Sequence, residues 1–211
     1  MTVQAEEMAR AVRVAIDMNR GDEPLIMEGD TDTLTLDEII YAKLADAVRL
    51  VEMEAPLQML ESGHDFGDCD TYIGEEGKGF VILPDDFMRL ISFRMSDWTR
   101  TIYEGITESD PRYALQSSRF KGICGNPEKP VVAIVRRSEG KVLEFYSCRT
   151  DEATVAQATY LPVPKIDRHG GIDVAEDCYK AAVYRAASLA LASVGDQLST
   201  TMLEISKSFL Q

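Results

Sequence analysis

The spacing of apolar positions along this chain changes twice, from helical to strand-like and back. Over residues 4–18, Met8, Ala11, Val12, Ala15 and Ile16 recur three and four apart, which predicts a short helix with one apolar face. Arg20-Gly21-Asp22-Glu23-Pro24 then places glycine before proline, the order that follows helices. The polar run from Glu28 to Thr33 reads as a loop. A second helix is predicted from Thr35. This residue can cap, and Glu38 stands at the capping-box spacing. Leu36, Ile39, Ile40, Leu44, Ala47, Val48 and Val51 form its apolar stripe, opposite Asp37, Lys43, Asp46 and Arg49. Pro56 lacks an N–H and clashes with the preceding turn, so this helix should kink or end near Glu54. One further turn is expected over Leu57 to Glu61, closed by Gly63.

From Gly79 the period becomes two. Phe80–Leu83, Phe87–Met95 and Arg100–Tyr103 read as short strands. Within the second, alternation puts Arg89, Ile91, Phe93 and Met95 on one face and Leu90, Ser92, Arg94 and Ser96 on the other. Residues 107–119 read as an excursion with one helical turn. Pro130–Arg137 and Lys141–Cys148, joined by Ser138-Glu139-Gly140, form the clearest hairpin, and Thr154–Leu161 adds a further strand. After His169-Gly170-Gly171 the helical period returns. Asp173 is a candidate cap with Glu176 three residues on, Val174, Cys178, Ala181 and Ala182 open an Ala-rich stripe, and Gly195-Asp196 interrupts it. Leu198, Met202, Ile205 and Phe209 carry the stripe to the end.

This order predicts an α+β fold. N- and C-terminal helices form a small bundle, and a central antiparallel sheet or small sandwich is built from hairpins. Residues 1–211 are read as one domain, with an N-terminal helical part at 1–62, a β part at 79–164 and a C-terminal helical part at 172–211. The region 62–79 reads as a long loop.

Charge narrows the partners. The net charge is −14. Residues 1–62 hold 14 Asp/Glu against 5 Lys/Arg, and residues 63–211 hold 22 against 17. An excess this acidic offers no general phosphate footprint, so sequence-specific nucleic-acid binding is not expected. It serves solubility, or it meets a basic surface on a partner protein. No apolar run approaches the roughly 18 residues of a membrane span. The acidic start, Met1 to Glu7, lacks the apolar core of a secretory signal. Cys69, Cys124, Cys148 and Cys178 include no C-x-x-C pair and read as reduced, partly buried thiols.

Each candidate for chemistry has a simpler structural reading. His64-Asp65-Phe66-Gly67-Asp68-Cys69-Asp70 gathers metal-ligating types but no regular spacing, and reads as a connection. Asp30-Thr31-Asp32 opens like a calcium loop, then fails at Leu34 and Thr35. Cys124 lies between glycines, but neither His64 nor His169 is placed beside it as a base. Gly74-Glu75-Glu76-Gly77-Lys78-Gly79 lacks the Walker spacing, and its glutamates would repel phosphate. Asp85-Asp86 could act as paired acid and base, yet after Leu83-Pro84 they suit a turn in which Asp side chains hold nearby amides. Phe93 and Trp98 read as core or interface anchors. No catalytic residue, cofactor or metal is therefore expected. The structural positions singled out are Leu83, Pro84, Asp85, Asp86, Phe87 and Trp98.

Four stretches together resemble the head–tail adaptor, or connector, proteins of tailed bacteriophages. They are the helical Leu36–Ile40 and Asp46–Val51, the turn Val81-Ile82-Leu83-Pro84-Asp85-Asp86-Phe87-Met88-Arg89-Leu90, the aromatic strands reaching Trp98, and the helix Tyr179–Ala187. The turn is similar to an L-P-x-D-F-x-R-L pattern of short-tailed phage adaptors. In style the chain is similar to proteins of large crAss-like phages. The resemblance implies a non-enzymatic virion protein of the neck or tail, assembled in the host cytoplasm. It implies a ring, dodecameric in that family, that contacts the portal protein and the adjacent neck or tail ring. The region 62–79 has no counterpart in the pattern. The competing expectations are a soluble bacterial ligand-binding module and a small metal- or thiol-dependent enzyme.

Overall fold

A computed structural model describes residues 1–19, 34–74, 77–118, 120, 122–138, 140–146, 148–150 and 152–211. The expected helix end at 20–24, the loop and calcium-like start at 28–33, residues 75–76 of the glycine loop and residue 139 of the hairpin turn lie outside the described residues. In chain order the elements are β1 (Thr2–Gln4), α1 (Ala5–Asn19), α2 (Leu36–Glu54), β2 (His64–Asp65), β3 (Thr71–Ile73), β4 (Lys78–Ile82), β5 (Phe87–Met95), α3 (Pro111–Leu115), β6 (Val132–Arg137), β7 (Gly140–Tyr146), β8 (Val155–Pro162), β9 (Gly171–Asp173), α4 (Tyr179–Ser193) and α5 (Leu198–Ser208). Short 3-10 turns occupy Leu57–Met59 and Glu176–Cys178. The fold is α+β, with helices at both ends and antiparallel sheets between. The chain divides into two compact units, Met1–Glu61 with Pro164–Gln211, and Ser62–Val163.

In the first unit, α4 packs against α1, α2 and α5. Its alanines make this possible. Ala181, Ala182, Ala186, Ala187 and Ala190 are all fully buried, so on several sides α4 presents only methyl groups to its neighbours. Met8, Val12 and Ile16 of α1 and Ile40, Leu44, Val48 and Val51 of α2 fill the space around it. The start of α2 is fixed as its sequence implies. The Thr35 hydroxyl accepts the Glu38 amide, and the Glu38 carboxylate accepts the Thr35 amide at 2.8 Å.

Asp173 is not a helix cap. β1 pairs antiparallel with β9, which makes Asp173 extended backbone opposite Thr2, and the Thr2 hydroxyl donates to its carboxylate at 2.5 Å. The helix begins at Tyr179, after the 3-10 turn. Among the described residues, two charged side chains lie inside this unit. Arg185 of α4 is buried and pairs with Glu54 of α2. Glu52 is also buried and accepts the Ala175 amide at 3.0 Å. Burial, ahead of the charges of Glu61 and Asp173, raises the Glu52 pKa.

In the second unit, one sheet runs β2-β8-β5 and the other β3-β4-β7-β6. Residues of both sheets meet in one core: Val81, Leu143 and Phe145 from the larger, Leu90, Phe93, Met95 and Tyr160 from the smaller. Strict alternation along β5 fails. The β5–β8 register shifts between Phe87 and Arg89, between Leu90 and Ser92, and between Arg94 and Met95. The first two shifts each skip a residue of β5 and reset which side faces inward, so Phe87, Leu90 and Phe93 join the same core, with Met95 two residues on; the third skips a residue of β8. Arg100–Tyr103 is not a strand. Ile102 makes one bridge to Phe93, and the chain then leaves to pair Ile106 with Ala133 of the other sheet. Residues 62–79, expected as loop, contain β2 and β3.

Two outcomes follow from the helical unit. Ala186→Leu forces extra volume between four helices and should cost about 1–3 kcal/mol, read as a lower midpoint in urea by circular dichroism. The second concerns pH. A carboxyl whose folded pKa is raised favours folding in its protonated form. Its stabilising contribution is complete below the model-compound value of 4.5 and declines as pH rises through the folded value. Glu52→Gln keeps an acceptor for Ala175 and removes the charge. Its stability should therefore fall less than the wild type's between pH 4.5 and 7 in parallel melts.

Candidate functional site

The turn from Leu83 to Phe87 joins β4 to β5, and with them the two sheets of the second unit. Pro84 presets the turn, and the Phe87 amide donates to its carbonyl at 3.0 Å. Leu83 and Phe87 are buried on either side while Asp85 faces solvent. The Asp86 carboxylate does not hold a turn amide. It accepts the Tyr160 hydroxyl of β8 at 2.8 Å, and the Asp86 carbonyl accepts the Val163 amide at 2.7 Å. The Phe87 carbonyl takes the Lys141 ammonium of β7 at 2.8 Å, and that ammonium sits 5.5 Å from the Phe87 ring centre. The turn is thereby tied to a strand of each sheet. Burial, then the neighbouring Asp86 carboxylate, pushes the Tyr160 phenol up to about 12. It therefore stays a neutral donor.

Aromatic rings fill the space behind the turn. Phe87 stacks on Tyr160 at 5.6 Å, and Phe66 stands edge-on to both. Phe93 follows on the same strand, 5.7 Å from Trp98 and 6.2 Å from Phe145. Trp98 is a core anchor at 4% exposure, with an indole N–H that meets no acceptor among the described residues. Asp97, beside it, accepts the Arg149 amide.

Of the metal-ligating stretch, His64 and Asp65 form β2, opposite Tyr160 and Thr159. The Asp65 carboxylate closes a local turn by accepting the Gly67 amide at 2.7 Å. Among the described residues, no group of three or more His, Cys, Asp or Glu is placed to hold a metal. Burial, then Asp70, Asp68 and Asp65, raises the Cys69 thiol pKa, while burial and Asp97 push Cys148 up to about 12. Both stay protonated and poorly nucleophilic. Cys124 donates to the Phe120 carbonyl at 3.6 Å. All four cysteines are free.

Besides Glu52, sequence reasoning missed a second buried carboxylate. Glu144 of β7 accepts the Tyr113 hydroxyl at 3.2 Å, the Tyr146 hydroxyl at 2.5 Å and the Arg137 guanidinium. Burial, with the Glu144 charge, raises the pKa of both phenols. With three donors on its two oxygens, this carboxylate is engaged in holding α3 against the sheet. Its place in an apolar alternation was the available signal, because a charge in an otherwise apolar strand needs partners. Gln116 clamps the same excursion from inside. It donates to the Arg112 carbonyl at 2.9 Å and accepts the Gly125 amide at 2.8 Å.

The groups brought together here tie backbone and sheets to one another. Comparison with protein-family models and with curated proteins finds no match to this chain. Among the described residues, no helix is long and apolar enough to cross a membrane.

Tyr160→Phe removes the phenol from the Asp86 carboxylate and leaves the ring stack. It should cost about 1 kcal/mol, because the carboxylate can recover water. The loss is read from the tryptophan emission of Trp98 during urea unfolding.

Proposed function

We propose that this protein is a structural component of a tailed-phage virion, a head–tail adaptor that forms a ring under the portal and links capsid to tail. The supporting observation is that each compact unit leaves large apolar side chains in solvent. In the helical unit, Val14 and Met18 stand one turn apart on α1 at 55% and 79% exposure. In the β unit, Leu115, Phe120 and Ile123 are 47%, 72% and 51% exposed on the excursion that Gln116 and Tyr113 fasten down. Apolar side chains exposed to solvent suit contact with other chains. A subunit of a closed ring uses two different surfaces, one for each neighbour, and these patches lie on different units. The portal protein and the next neck or tail ring are the partners of this reading, with the virion neck as its location. The structural use made of Asp86, Tyr160 and Glu144 agrees with a non-enzymatic scaffold.

The charge distribution supports an ordered contact with a basic partner. The helical unit carries 20 Asp/Glu against 10 Lys/Arg, and the β unit 16 against 12. Free subunits would repel one another at low salt and be drawn to a basic surface.

Native mass spectrometry and negative-stain microscopy of the protein, alone and mixed with the portal protein of the same genome, test this reading. The expected result is a closed ring in at least one condition. Monomers in both conditions would overturn it.

A further inference from the structure

The geometry points to a peptide-binding edge on the β unit: a groove beside β3 that accepts an extended segment of a partner protein carrying Lys or Arg at alternate positions. The inference does not depend on the adaptor reading.

The hydrogen-bond register of β3 is its first support. The Gly74 amide donates to the Lys78 carbonyl at 2.8 Å, and these residues are opposite one another in the β3–β4 register. In an antiparallel ladder, hydrogen-bonded pairs recur every second residue. Tyr72 and Phe80 are therefore also such a pair. Thr71 and Ile73 lie between and turn their N–H and C=O groups away from β4. β3 is the end strand of its sheet, with no strand beyond it among the described residues. A row of outward-facing backbone groups is what an added strand pairs with.

The second support is space. A groove of about 620 Å³ lies along this edge, walled by Gly67, Thr71 and Ile73 on one side and by Glu152, Thr154 and Val155 on the other. Thr154 and Val155 of the far wall are held by the neighbouring stretch of chain. The Thr154 carbonyl accepts the Ser96 amide at 2.8 Å, and Val155 begins β8 opposite Met95. The near wall is braced by the stack of Tyr72 on Phe80, 4.9 Å between centres.

The third support selects the occupant. Asp65 holds the Gly67 amide at one lip, Asp68 and Asp70 lead directly into Thr71, and Glu152 stands on the opposite wall. Glu152 on the wall, with Asp65, Asp68 and Asp70 on the chain that flanks Gly67 and leads into Thr71, favours a cationic segment and repels an acidic one. With strand side chains alternating, every second residue of the segment reaches this rim. A second copy of this chain fits less well, because its own net charge is −14.

The test uses the full chain and three fluorescein-labelled peptides, read by anisotropy. Lys-Val-Lys-Val-Lys-Val should bind saturably. Glu-Val-Glu-Val-Glu-Val should bind at least about tenfold more weakly, as should Lys-Pro-Lys-Pro-Lys-Pro, which keeps the charge but lacks donors on alternate residues. Two variants locate the site. Thr71→Pro removes an outward-facing N–H at the first residue of an edge strand, where proline is tolerated, and leaves the β3–β4 ladder intact. Glu152→Lys reverses a charge on the opposite wall. Each should weaken Lys-Val binding at least about tenfold with the Trp98 emission unchanged. Four results would overturn the proposal: no saturable binding, equal binding of the acidic or the proline peptide, variants that bind like the wild type, or self-association that Thr71→Pro abolishes. The last would give the edge to a second copy. Ring formation with the portal is read separately by mass, so either reading can fail alone.

Discussion

The ladder between β5 and β8 is the constraint on which the β unit depends. A strand with regular alternation would send Leu90 and Phe93 to opposite faces. The shifts in the β5–β8 register send both inward, and one strand then contributes Phe87, Leu90, Phe93 and Met95 to a single core. That core is dense in rings because Phe93 stands between Phe66 at 6.1 Å, Trp98 at 5.7 Å and Phe145 at 6.2 Å. The Leu83–Phe87 turn starts this strand and Trp98 follows its end. The two features most prominent in the sequence are thus the ends of one bulged strand. Asp86 fastens the turn to the partner strand through Tyr160, and Lys141 fastens it to the other sheet.

The helical unit solves its packing differently. Its centre is a helix of small residues, and the larger side chains come from the helices around it. Those side chains take up the room that the α4 alanines leave, so the unit tolerates little added volume at Ala186. Buried charge appears at Arg185, where α4 meets α2 and the half-exposed Glu54 carboxylate pairs with it, and where Glu52 accepts the Ala175 amide.

Features encoded by neighbouring residues were legible in the sequence. Thr35 and Glu38 announce the start of α2, Gly195-Asp196 marks the break between α4 and α5, and β6 and β7 appear as a hairpin. Features set by distant partners were not. Asp173 and Glu176 have capping-box spacing, but Thr2–Gln4 takes Asp173 into a strand from far away in the chain. β2 and β3 are two and three residues long, too short for any period to show. At the candidate site the turn itself was readable from Leu83-Pro84-Asp85-Asp86. Its restraints were not, because Tyr160, Val163 and Lys141 lie more than fifty residues downstream. The Glu144 cluster gathers Tyr113 from an excursion whose path no local pattern gives.

The central claim is that the Leu83–Phe87 turn is a rigid joint between two sheets and that Asp86 serves it as a structural acceptor. Native-state hydrogen exchange, resolved by residue, tests this most directly. The account predicts that the Phe87 and Val163 amides, bonded to the Pro84 and Asp86 carbonyls, are protected to nearly the same degree as the core amide of Phe93. Exchange at Phe87 and Val163 as fast as in an exposed loop, with Phe93 still protected, would contradict it.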